Sequence, residues 1–184
     1  MLTKSSLFAK KLRRANSRKS NLISSLLVPY DLTVVNNGYE FTTSNDLTYS
    51  VYFIDITETF NSKVRIFSFG FGLFGHEGEI PYDERVGHTI TRLLDDFFWV
   101  NDDIILYVPQ ETDRKEKERL RLFDIWWASY KKYFKCENLE MDRVEFKYET
   151  TRDFIVTIFF KTTQRGAAQD ILYRSLPEIW DDLK

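Results

Sequence analysis

Acid–base and nucleophilic chemistry have few places to arise in this chain, which holds two histidines, His76 and His88, and one cysteine, Cys136. His88 follows Glu84 by one helical turn and has Tyr82, Asp83 and Arg85 for near neighbours, so a small acid–base cluster could form there. His76 sits in a glycine-bearing break. Two histidines with no regular spacing to Cys136 make a poor zinc site. The plainer reading makes His76 a loop residue and His88 a helix residue near a cap.

Carboxylates are the next resource. Aspartate pairs occur at Asp95-Asp96, Asp102-Asp103 and Asp181-Asp182, and the middle pair stands just before an expected strand. Glu145-x-Lys147 has the spacing found on the metal-binding strand of many restriction-like nucleases, where the lysine stabilises charge as water attacks phosphorus. Alternation explains it more simply, since Glu145 and Lys147 share one strand face while Val144, Phe146 and Tyr148 share the other. The upstream aspartate of such nucleases is also missing.

Glycines 70, 72 and 75 spell G-x-G-x-x-G, but a dinucleotide site needs that pattern at a turn entering a helix. Here phenylalanine and leucine fill the gaps and Pro81 follows, which fits a bulged strand better. No serine elbow or cysteine–histidine signature is present. These patterns give no reason to expect a metal or cofactor.

Cations offer a different chemistry, the holding of anions. In "DRKEKERLRLFDIWW" (113–127), Arg114, Arg119 and Arg121 are candidates for a phosphate or an acidic partner. Cations in the first turn of a helix oppose its dipole, so a functional arginine cluster would justify the conflict. Yet the five acids from Glu111 to Asp124 balance the five cations, and several pairs have helical spacing. An ordinary salt-bridged face accounts for this too.

A second cationic stretch lies in residues 1–30, which carry seven cations and no acid. Lys10, Lys11, Arg13, Arg14, Arg18 and Lys19 form its basic part. The other residues hold 19 cations against 28 acids, a net of −9 hidden beneath the total of −2. Such an arm could hold RNA, DNA or an acidic protein by charge, with affinity falling as salt rises. It lacks the interleaved aromatics of a base-stacking surface. A membrane-surface helix and an ordered first helix packed on the body are alternative fates. A signal peptide is not expected, because "NLISSLL" is short and no small-residue cleavage site follows.

The elements that must position these groups come from periodicity. "YEFTT", "LTYSVYFIDIT" and "VRIFSFGFGLF" alternate and are rich in β-formers, predicting three sequential antiparallel strands. Asp83 predicts an N-cap for a helix to about Val100, with Val86, Ile90, Leu93, Leu94, Phe97 and Phe98 as its buried stripe. "DDIILYVP" predicts a short central strand. A second helix is expected from about Thr112 to Phe134, with Leu120, Phe123, Trp127, Tyr130 and Phe134 facing the core. "RVEFKYETT" and "DFIVTIFFKTT" predict a hairpin, and the last residues a helix that Pro177 kinks or divides.

The predicted class is therefore α+β, a mostly antiparallel sheet with helices packed on one face, in the order β-β-β-α-β-α-β-β-α. A basic arm over 1–30 precedes a single domain over 31–184. The 16% aromatic content supplies ample core, and the lone cysteine excludes an internal disulfide framework, which favours a cytoplasmic setting. No run approaches the roughly 20 apolar residues of a spanning helix.

"DERVGHTITRLLDDFFWVNDDIILYVP" followed by "DRKEKERLRLFDIWW" resembles a family of small bacterial domains of unknown function, in which a strand leads into an R-x-R-aromatic helix. The resemblance covers about residues 48–160 and brings no activity with it. It implies a module of a bacterial assembly, such as a defence or toxin–antitoxin system. The expectation is a non-enzymatic interaction module that binds a protein or nucleic-acid partner through its basic patches. The rival is a small phosphodiesterase or ribonuclease using Asp83, Glu84, Arg85 and His88, or Asp102-Asp103 with Glu145-Lys147.

Overall fold

The computed structural model describes residues 28–36, 38–73, 75, 80–109, 116–134, 138–147 and 153–182. The basic arm through residue 27, His76 and Arg114 lie outside them, as do the side chains of Glu145 and Lys147.

Among the described residues seven strands form one sheet: β1 (Thr33–Val35), β2 (Gly38–Thr42), β3 (Thr48–Asp55), β4 (Ile66–Leu73), β5 (Ile104–Tyr107), β6 (Leu139–Lys147) and β7 (Asp153–Lys161). Their spatial order is β1-β2-β3-β4-β5-β7-β6. The helices are α1 (Glu84–Val100), α2 (Glu116–Phe134), α3 (Arg165–Asp170) and α4 (Leu176–Asp182). A mostly antiparallel α+β fold results, in nearly the expected order. β1 is additional, and the last helix is divided. Within the sheet, β4 and β5 pair in parallel, Ile66 opposite Ile104, with α1 in the connection between them.

Two compact units share the chain. The first comprises Met1–Tyr52, Phe71–Asn101 and Arg121–Cys136. Its strands β2 and β3 alternate cleanly, and Tyr39, Phe41, Tyr49 and Val51 are buried. Tyr30, Phe41 and Tyr49 stack in sequence, with ring centroids 5.8 and 5.2 Å apart. The apolar stripe of α1 is buried throughout. Thr89 and Thr91 would be costly in such an interior, but each hydroxyl donates to the carbonyl four residues back. From α2, Phe123 and Trp126 meet Phe71.

The second unit comprises Phe53–Gly70, Asp102–Leu120 and Glu137–Lys184. Every residue of β5 is buried, as a continuous apolar run in a central strand requires. Ile66, Ile104, Leu106, Val156, Ile158 and Phe160 pack with Ala168, Ile171, Leu172 and Leu176 of the C-terminal helical run. That run passes from α3 through a π-helical turn at Ile171–Ser175 into α4. Pro177, which has no N–H to donate, stands one residue beyond the widened turn, after Leu176.

Candidate functional site

The start of α1 gathers four residues of the acid–base cluster. Asp83 is extended, and its Oδ1 accepts the Arg85 backbone N–H at 2.9 Å, so it caps the helix. Its Oδ2 accepts the Tyr30 hydroxyl at 2.7 Å. Arg85 lies over the Tyr30 ring, 3.9 Å from the centroid, and its Nε donates to the Val28 carbonyl. The Tyr30 backbone N–H donates to Thr89 Oγ1, and the hydroxyl also meets Ser44. Tyr30 was assigned by composition to the arm, yet it is a buried hub of this corner. Nothing local in the sequence signals these contacts, since its partners lie 14 to 59 residues away.

His88 is the exception in this cluster. Its side chain is 1% exposed, and Nε2 stands 3.7 Å from Glu84 Oε1, beyond hydrogen-bonding distance. Neither ring nitrogen has a hydrogen-bond partner among the described residues. Burial holds its pKa below the ordinary 6.5, only partly offset by the Glu84 carboxylate. A neutral, enclosed imidazole cannot deliver a proton to a solvent-borne substrate.

The aspartates before β5 are likewise engaged. Arg65 reaches both oxygens of Asp103, at 3.1 Å from Nε and 2.8 Å from its terminal nitrogen. Burial, partly offset by Arg65, lifts the Asp103 pKa above the usual carboxylate value. Asp102 receives Lys161 on its side chain and Gln164 on its backbone carbonyl. Among the described residues no three His, Cys, Asp or Glu side chains are grouped to hold a metal.

Leu120, Phe123, Trp127 and Tyr130 of α2 are buried as expected, and Trp126 is buried beside them. The outer side of the helix divides the candidate arginines. Arg119 is half-buried and already partnered, whereas Arg121 is exposed. Two residues apart on a helix, they point about 200° apart, so they form no single cluster.

Arg121 instead belongs to an exposed arc with Lys117, Ile125, Ala128, Lys131 and Lys132. Glu118 and the half-buried Asp124 are its acids. Over Glu116–Phe134 five cations face three acids, in a chain whose acids otherwise exceed its cations. The even balance in the sequence arose from stopping at Asp124, which leaves out Lys131 and Lys132. Lys131 and Lys132, in the last turn, also complement the helix dipole. Ile125, half exposed in the middle of the arc, falls outside the apolar stripe; that displacement was its only signal.

Residues 82–147 match the model of a family of unknown function, DUF6169. The match covers just over a third of the chain and takes in α1, β5, α2 and β6. No curated protein matches the chain, and no solved structure matches it. No helix among the described residues is long and apolar enough to cross a membrane.

Proposed function

We propose that the protein is a cytoplasmic, non-enzymatic interaction module of a bacterial assembly, which engages an anionic partner, protein or nucleic acid, through basic surfaces. The exposed arc of α2 carries this reading, because it is net positive where the rest of the body is acidic. Arg121 and Lys131 are its contact residues, and the basic arm adds a second, sequence-distant source of positive charge. Phosphodiesterase or ribonuclease chemistry has less support. Asp83, Asp102 and Asp103 are each occupied by partners of their own, and His88 is enclosed.

Charge reversal tests the α2 surface while leaving the arm intact. Binding of the full chain to a labelled 20-nucleotide RNA and to polyglutamate would be followed by fluorescence anisotropy over a salt series. The double variant Arg121→Glu/Lys131→Glu is expected to weaken binding of at least one polyanion about tenfold and to flatten its salt dependence. If wild type and variant bind both probes equally, the α2 reading falls.

A further inference from the structure

The α2 arc is not purely electrostatic, and that narrows what it fits. Arg121, Ile125, Ala128 and Lys132 follow one another at intervals of four, three and four residues. This spacing keeps them on one side of a helix, in the seam geometry by which two helices pack alongside each other. Ile125 is 50% exposed and Ala128 is exposed, so the centre of the seam is apolar. Cations stand at both ends, Arg121 before and Lys131-Lys132 after, a span of roughly 17 Å at 1.5 Å per residue. Ala128 lacks bulk, which permits a neighbouring helix to approach closely. A phosphate backbone would gain nothing from a solvent-facing isoleucine between its cations.

We infer, building on the anionic-partner reading above, that this seam docks an acidic amphipathic helix of another protein. Its apolar stripe would cover Ile125 and Ala128, and carboxylates flanking that stripe would meet Arg121 and Lys131. Glu118 and Asp124, at the sides of the arc, would repel a partner whose acids were misplaced and so contribute register. Two other occupants are disfavoured by charge. The chain's own first thirty residues carry seven cations and no acid. A second copy pairing antiparallel through the same seam would set Arg121 against Lys132.

The test uses the full chain and two peptides of identical composition, 17 residues of leucine, alanine and glutamate. One places leucine at four–three spacing with glutamates flanking; the other is scrambled. The patterned peptide is expected to bind about tenfold tighter than the scrambled one, and Ile125→Asp to remove most of that advantage. Ile125→Leu should retain it, and thermal melting of each variant would verify folding. Equal binding of the two peptides, indifference to Ile125→Asp, or tighter binding of a 20-nucleotide RNA than of the patterned peptide would overturn the helix-docking inference. In those cases sensitivity to Arg121→Glu/Lys131→Glu would still uphold the anionic-partner reading. If that double variant binds every probe as wild type does, both fall.

Discussion

At the scale of single residues, His88 makes a measurable demand on the fold. Its ring is enclosed, lacks hydrogen-bond partners among the described residues, and has its pKa held below 6.5. The unfolded chain therefore takes up a proton that the folded chain refuses. Its contribution to stability is complete above about pH 6.5 and diminishes as pH falls toward the lowered folded value, at no more than about 1.4 kcal/mol per pH unit for one proton. Chemical denaturation across pH 5–8 should show wild type losing stability on the acid side relative to His88→Leu. Parallel curves for the two proteins would mean that the imidazole protonates in place. Asp103 shows a different solution, a buried carboxylate accepted because Arg65 reaches both its oxygens.

At the scale of elements, the close approach of α2 to α1 depends on an absent side chain. A methyl group at Gly87 would overlap the Trp126 indole, which is buried and also meets Phe71 and Phe123. Alanine is the better helix former by about 1 kcal/mol, but forcing the packed ring aside costs about 1–3 kcal/mol. Gly87→Ala is expected to lower the urea midpoint, and Trp126→Leu in the same chain to recover part of the loss in a double-mutant cycle. A stabilised Gly87→Ala would show that the indole has room to move. α1 was legible because its signals are local: a capping aspartate and apolar residues at three and four. β1 was missed because three residues, two of them exposed, leave no alternation to read. The start of β6 was missed because "LEMD" is short and its acids are poor strand formers, which outweighed its alternation, on a strand paired only with β7 among the described residues. The parallel register of β4 and β5 joins residues nearly forty positions apart, and no local pattern encodes it. The candidate site was half legible. Arg121 could be named from its type, but its separation from Arg119 and its grouping with Ile125 and Lys131 needed the helix bounds.

At the scale of the whole molecule, each compact unit is assembled from three separate stretches of chain, with β3 and β4 passing from one unit to the other. Neither unit is a contiguous fragment. Cutting between residues 101 and 102 would deprive the first unit of Arg121–Cys136 and the second of Phe53–Gly70. Fragments 1–101 and 102–184, expressed apart, should give collapsed proton NMR spectra and recover dispersion only when mixed, if at all. A dispersed spectrum from either fragment alone would show that its core does not need the missing stretch. The acidic balance outside the arm favours solubility and leaves fold choice to the core.

That interleaving also sets a timetable on the ribosome. Ile66 of β4 is made long before Phe160 of β7, the strand that completes its side of the core. At about 5–20 residues per second, the earlier strand waits roughly 5–20 s for the later one. During that interval β4 displays an apolar face, and its neighbour β5 an edge still without β7, to the crowded surroundings of synthesis. Yield in a host should therefore depend on chaperone supply and on translation speed between β4 and β7, more than on the equilibrium stability of the finished protein.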